Sequence, residues 1–109
     1  MVVNILGTEY TITECSREED ELLNEMDGYC DKTTKQIVVS KPTPDCNLGD
    51  WKEYSNKIKR HEIIHAYLFE SGLHENFKHD EWGHDETFID WIACQFPKIL
   101  NTYKEVGCL

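Results

Sequence analysis

The first forty residues consist of short apolar segments separated by polar turns. Residues 2–6 are mostly apolar and end at Gly7, and residues 8–13 then alternate polar and apolar side chains. This two-residue period is typical of half-buried strands, so it predicts one strand or a bent pair. Residues 29–30, a polar turn and the β-branched run Gln36–Ser40 together predict a β-hairpin.

Helical patterns begin at residue 16 and dominate the second half of the chain. Residues 16–26 start with Ser-Arg-Glu-Glu, which matches a capping box and predicts a short helix. A longer helix is predicted after Asp50, a good N-cap, and we expect Gly72 to end it. Its core-facing stripe follows three- and four-residue steps through Trp51, Tyr54, Ile58, His61, His65 and Leu68.

The last helix is predicted from Asp85 or Glu86 onward. Its apolar side chains at helical spacing are Phe88, Ile89, Ile92, Ala93 and Phe96. We expect Pro97 to kink or interrupt this helix, because proline offers no N–H to the carbonyl of Ala93. A polar, histidine-rich connection, residues 73–85, joins the two helices and is expected to be a loop.

The order of these elements, strands first and helices afterwards, predicts an α+β fold. We expect an antiparallel or mixed sheet of about three to four strands packed against the two helices. At 109 residues the chain is predicted to form one domain, residues 1–109. Its 39% apolar and 29% charged residues are typical of a soluble globular protein, and no apolar run reaches the roughly 20 residues that span a bilayer.

The net charge and the cysteine pattern indicate which partners are excluded and in which compartment we expect the protein. The net charge of -10 argues against nucleic acid, because phosphate binding needs clustered basic residues and the two arginines, Arg17 and Arg60, cannot form such a patch. The five cysteines are scattered and contain no C-x-x-C pair. We therefore expect reduced thiols and a cytoplasmic location.

The pattern His61-Glu62-Ile63-Ile64-His65, which is H-E-x-x-H, lies within the long predicted helix. Residues four apart stand on one helix face, so both imidazoles can reach one zinc ion at about 2.0 to 2.1 Å. Zinc lowers the pKa of a bound water towards about 7, and Glu62 can then take its proton as a general base. The pattern predicts one Zn²⁺ per chain and hydrolysis of peptide bonds.

Two histidines leave this zinc one short of the usual three protein ligands. The metzincin pattern fails, because Leu68 and Ser71 stand where its glycine and third histidine would be. Glu86 is favoured, because it opens a helix on which Asp90 follows one turn later and the small Ala93 allows close packing. Candidates that remain open at this stage are His74, His79, Asp80, Glu81, His84, Asp85, Glu86 and Asp90.

Asp90 has two interpretations. It can accept the outer N–H of a ligating histidine and so fix the ring, or it can be a solvated helix charge. The histidines His74, His79 and His84 are spaced by five, which fits neither a helix nor a strand. We interpret them as loop residues, one of which could stabilise a tetrahedral intermediate.

Two segments resemble the small phage and prophage metallopeptidases related to the ImmA/IrrE peptidases and the minimal gluzincins. They are residues 60–66, RHEIIHA, and residues 86–93, ETFIDWIA, which match H-E-x-x-H and a downstream E-x-x-x-(N/D)-x-x-A helix. The resemblance implies a zincin-like domain, with the H-E-x-x-H helix packed on a small twisted sheet and Glu86 as the third zinc ligand. It also implies a substrate along an edge strand, for which Gln36–Ser40 is the matching candidate.

Functions from different classes follow from these residues. The first is a zinc metallopeptidase that acts on a protein or peptide substrate. The second is a catalytically idle, zinc-stabilised binding module of phage origin that engages a host protein. Glu62 favours the enzyme, because a structural zinc site closes its fourth position with a further His or Cys. A zinc-dependent hydrolase of a non-peptide bond would use the same residues.

Overall fold

Four strands form one mixed sheet. In the computed structural model, which describes residues 1–76 and 78–109, they are β1 (Val2–Ile5), β2 (Thr8–Cys15), β3 (Gly28–Asp31) and β4 (Gln36–Ser40). Their order in the sheet is β1-β2-β4-β3. Strands β1 and β2 are antiparallel, β2 and β4 are parallel, and β3 and β4 are antiparallel. With the two helices described below, this sheet confirms the predicted α+β fold, and the predicted bent pair is a hairpin.

The position of β4 corrects one prediction. This strand lies inside the sheet, between β2 and β3, so the interpretation of Gln36–Ser40 as an edge strand is wrong. Its consecutive residues Ile37, Val38 and Val39 are at most 4% exposed, which means that side chains on both faces are buried. Such a continuous apolar run is typical of interior strands. Among the described residues, the free edge on this side of the sheet belongs to β3.

The helix predicted at residues 16–26 is only a 3-10 turn, Glu21–Asn24. The capping-box hydrogen bonds do form, since Ser16 and Glu19 each donate a backbone N–H to the side chain of the other, at 3.0 and 3.2 Å. Leu23 is the one buried residue of the turn. A single buried side chain offers too little packing to extend a helix.

Two helices of 21 residues each complete the main body, α1 (Trp51–Ser71) and α2 (Glu86–Val106). As predicted, Asp50 caps α1 by accepting the N–H of Glu53, and Gly72 ends it in the left-handed conformation, with φ 81°. Helix α1 packs on β3 and β4, and α2 packs on α1. The core comprises Ile5, Tyr10, Ile37, Val39, Ile58 and Ala66.

The buried faces of both helices differ from the predicted stripes. On α2, Ile89 is buried, whereas Phe88 and Phe96 are 56% and 45% exposed and are not core residues. On α1, the buried residues are Ser55, Ile58, Glu62, His65 and Ala66. Glu62, which the predicted stripe left out, is therefore one of the five buried residues of this helix.

Helix α2 runs without a break through Pro97, so of the predicted kink or interruption the interruption does not occur. Pro97 has no N–H to donate to the carbonyl of Ala93. This carbonyl accepts the Nε–H of Arg60 at 2.5 Å instead. A side chain of α1 thus satisfies the group that the proline leaves free. This bond also ties the two helices together one residue before the first histidine of the H-E-x-x-H pattern.

The connection between the helices is not wholly a loop. Two short antiparallel strands, β5 (Glu75–Asn76) and β6 (His79–Asp80), lie within it. Asp85 then caps α2, because its side chain accepts the N–H of Phe88 at 2.7 Å. Within the described ranges, neither helix combines the length and the apolar character that a membrane span requires. All five cysteines are free.

Candidate metal centre

Three side chains from the two helices meet at one point. Each imidazole offers its Nε2, and the carboxylate of Glu86 lies 2.9 Å from the Nε2 of His61 and 2.9 Å from that of His65. The two Nε2 atoms are 3.2 Å apart. Among the described residues, this is the one group of three or more such side chains whose geometry can hold a metal ion. The structure therefore brings the three predicted ligands together.

The spacing of these atoms fits a metal ion. Ligands at about 2.0 to 2.2 Å from a tetrahedral zinc lie about 3.3 Å from one another, close to the 3.2 Å between the two histidines. The two carboxylate contacts, at 2.9 Å, are slightly shorter. Two imidazole nitrogens and one carboxylate suit zinc and other divalent transition metals.

Gly28 explains how α1 comes so close to the sheet. A Cβ atom at this position would lie 2.7 Å from Cγ2 of Ile58 and 3.1 Å from the carbonyl oxygen of Val38. Only glycine allows this contact without displacing the helix. The same approach places the side chain of Glu62 beside the free edge of β3, where Gly28 and Cys30 line a common cavity of about 410 Å³.

Glu62 is buried without a partner. Its side chain lines the cavity, it is 8% exposed, and no group among the described residues hydrogen-bonds to its carboxylate. Burial raises the pKa of Glu62 to about 7; the positive charge of His61 opposes this shift and the negative charge of Glu86 adds to it. A carboxyl group in this state exchanges a proton readily near neutral pH.

The Nδ1 atoms of His61 and His65, which do not face the cluster, also contact neighbouring side chains. Nδ1 of His61 lies 3.3 Å from Oδ1 of Asp90, which also contacts Nζ of Lys57 at 3.1 Å. Nδ1 of His65 lies 2.7 Å from Nδ1 of His84. Asp90 is thus placed where an orienting contact was expected, and His84 faces the nitrogen of His65 that points away from the cluster.

Sequence reasoning missed the place of His84, which it had left among the possible ligands. Burial lowers the pKa of both His65 and His84, although the negative charges of Glu86 and Glu81 oppose the shift. Both rings are therefore neutral near pH 7, the form that a ligand or an acceptor needs. The remaining candidates lie outside the described cluster, and they are His74, His79, Glu81 and Asp85. The side chain of Asp80 lies outside the part of the chain that the structure describes.

Cys30 is the other nucleophilic side chain in this cavity. Burial raises the pKa of its thiol to about 12, and the negative charge of Glu62 raises it further. The thiolate is the reactive form of cysteine, so Cys30 is not poised as a nucleophile.

Comparisons of this chain with protein-family models, with curated proteins and with solved structures found no match.

Proposed function

We propose that this protein is a zinc-dependent metallopeptidase that holds one zinc ion per chain through His61, His65 and Glu86. The observation that carries the proposal is a three-ligand cluster with a buried, unpartnered carboxylate, Glu62, beside it. Structural zinc sites usually have four protein ligands, whereas catalytic sites have three and keep one position open. The described cluster has three.

Glu62 is the proposed general base. When bound, zinc supplies a Lewis acid that polarises a carbonyl and acidifies water. Glu62 takes a proton from the water as its oxygen attacks the peptide carbonyl carbon. It then delivers a proton to the nitrogen as the C–N bond breaks, so the products are a carboxylate and an amine. Burial raises the pKa of Glu62 to about 7, and with a cation held by the cluster its carboxylate would be ionised near neutral pH, because the positive charge opposes the effect of burial.

Strand β3 is the proposed binding surface for the substrate. Its outer edge is unpaired among the described residues. Three of its residues line the cavity that contains Glu62, namely Gly28, Tyr29 and Cys30. A free strand edge offers N–H and C=O groups to an extended peptide by β-augmentation. A protein or peptide in extended conformation is therefore the proposed substrate, and β3 takes the place that the sequence had suggested for β4.

The first test is metal binding. Protein purified without chelators is expected to contain one zinc per chain, and Glu86→Gln should weaken zinc binding by more than the 10–100-fold typical of losing a supporting contact. Glu81→Gln is the matched control, because Glu81 lines the same cavity but lies outside the cluster. Equal zinc affinities for the two variants would contradict the assignment of Glu86.

The second test is hydrolysis by the zinc-loaded protein, measured on a library of fluorogenic peptides. Cleavage by the wild-type protein and its loss in Glu86→Gln would support the peptidase. A wild-type protein that binds zinc and retains peptides but cuts none would establish the alternative, the zinc-stabilised binding module. A protein that binds no zinc would overturn both.

A further inference from the structure

Three histidines lie in a row that leads away from the metal cluster. His65 and His84 contact each other through their Nδ1 atoms at 2.7 Å, and their ring planes are only 9° apart. The ring centre of His74 is 6.3 Å from that of His84. On its far side, Nε2 of His74 lies 2.9 Å from Oε1 of Glu75. Phe69 packs against His84 and His74, with ring centres 4.4 and 5.2 Å away.

Each contact in this row determines where a proton sits, because a neutral imidazole has one N–H and one acceptor nitrogen. When His65 directs its Nε2 lone pair at a cation, its proton is on Nδ1 and is donated to Nδ1 of His84. His84 must then carry its own proton on Nε2. At the other end, His74 donates its Nε2 proton to Glu75, which leaves the Nδ1 of His74 as an acceptor.

Two buried side-chain atoms of the described residues have no hydrogen-bond partner, and both belong to this row. They are Nε2 of His84 and Nδ1 of His74. By the proton positions above, the first is a donor and the second is an acceptor, so each is the kind of partner that the other lacks. The two rings are neighbours, with centres 6.3 Å apart and planes at 90° to each other.

We propose that His84 is a positioning residue that holds His65 as the Nδ1-protonated tautomer, and that His74 supports His84 from the far side. The row from Glu75 through His74 and His84 to His65 then links the segment of β5 and β6 to the metal cluster. This inference rests on the proposed metal site and adds residues that do not themselves bind the metal. Supporting contacts of this kind orient a ligand and strengthen metal binding.

Zinc affinity in four variants tests the positioning role. His84→Leu removes the acceptor and should weaken zinc binding by about 10–100-fold. His84→Asn keeps an acceptor oxygen near the position of Nδ1 and should recover most of the affinity. His74→Leu should cause a smaller loss. His79→Leu is the control, because His79 is an exposed histidine of the same segment and should change nothing. Melting in the presence of chelator checks that each variant is folded.

Nitrogen-15 NMR of the metal-free protein separates failure of this inference from failure of the proposed function. An N–H···N hydrogen bond between His65 and His84 gives a scalar coupling between the two Nδ1 nuclei whether or not zinc is present. The coupling, together with an affinity that falls in His84→Leu and recovers in His84→Asn, supports the inference. Zinc binding without the coupling, or with equal affinities for these two variants, overturns it. If the wild-type protein binds no zinc, the proposed metal site fails, and the positioning role with it.

Discussion

Two carboxylates on α1, Glu62 and Glu70, lie about two helical turns apart and have opposite surroundings. Glu70 accepts hydrogen bonds from the hydroxyl groups of Tyr10 and Thr8, at 2.7 and 3.0 Å, and its Oε1 lies 2.6 Å from Nζ of Lys35. Glu62 has no such partner among the described residues. Contacts with Lys35 and Tyr10 therefore lower the pKa of Glu70, whereas burial raises that of Glu62 to about 7.

The same contrast extends to other polar groups of the two regions. Arg60 satisfies the carbonyl of Ala93 that a proline leaves free, whereas His74 and His84 each keep a buried nitrogen without a partner among the described residues. Unsatisfied buried groups cost stability, so a fold retains them where they do something else. The difference teaches that satisfied polar groups here hold the fold together and that unsatisfied ones mark the site.

The largest expected effect separates the two carboxylates by activity. Glu62→Gln removes the proposed general base, and we expect kcat of the zinc-loaded protein to fall by about 10² to 10⁴-fold, or about 3–5 kcal/mol of barrier. Glu70→Gln should change kcat by less than about twofold, because Glu70 lies outside the cavity that contains Glu62. Steady-state rates on the peptide found in the library screen measure both.

Glu62→Gln should not lower stability, although it is expected to have the largest effect on activity. In chelated protein, Glu62→Gln should be at least as stable as the wild type, because the amide replaces a carboxyl group whose ionisation burial opposes. Unfolding in urea measures this. A loss of more than about 1 kcal/mol in Glu62→Gln would mean that Glu62 has a structural partner, and the comparison would break down.

The next effect concerns the satisfied region. Glu70→Ala leaves the hydroxyl of Tyr10, a fully buried residue, without its acceptor. We expect the free energy of unfolding to fall by about 1–3 kcal/mol, while zinc affinity stays unchanged. In a Tyr10→Phe background the same substitution should cost less, because the hydroxyl is no longer there. Equal costs in both backgrounds would show that this hydrogen bond does not account for the loss.

The parts of the fold that sequence could predict depend on local signals. Asp50 and Gly72 bound α1 by cap chemistry that involves neighbouring residues only, and the prediction of both ends is confirmed. Glu86 could be ranked first among the candidate ligands because it opens a helix, which fixes its position better than a loop would. The structure places its carboxylate against both histidines.

The parts that failed depend on contacts between distant segments. Arg60 and Ala93 are 33 residues apart, so nothing local showed that an arginine would support a helix containing Pro97. Likewise, His84 reaches His65 across 19 residues, through the short strands of the connection. The edge strand is a different case, because the continuous apolar run of Gln36–Ser40 already indicated an interior position.

A smaller effect tests the arginine contact between the helices. Arg60→Met leaves the carbonyl of Ala93 without a donor and should cost about 1 kcal/mol of unfolding free energy. Pro97→Ala restores a backbone N–H at the position that normally serves this carbonyl. In that background Arg60→Met should therefore cost clearly less. A double-mutant cycle in urea measures the coupling, and strictly additive costs would show that Arg60 stabilises the helix pair in some other way.

The smallest expected effect is a change in the acid dependence of stability. Lys35 and Tyr10 lower the pKa of Glu70 below its usual value of 4.5, so between the two values the folded state binds fewer protons than the unfolded state. The stability that Glu70 contributes is therefore fully present above about pH 4.5 and is lost as the pH falls through its folded pKa. Because the side chain of Lys35 is 41% exposed, we expect the effect to be modest. Urea unfolding of chelated wild type and Glu70→Gln measures this effect. The difference in unfolding free energy between the two proteins should be constant above about pH 5 and should narrow below it. Glutamine does not titrate, and the contributions of all other carboxylates are the same in both proteins, so the difference reports on Glu70 alone. A difference that is the same at every pH would show that the ionised form of Glu70 is not what its partners stabilise.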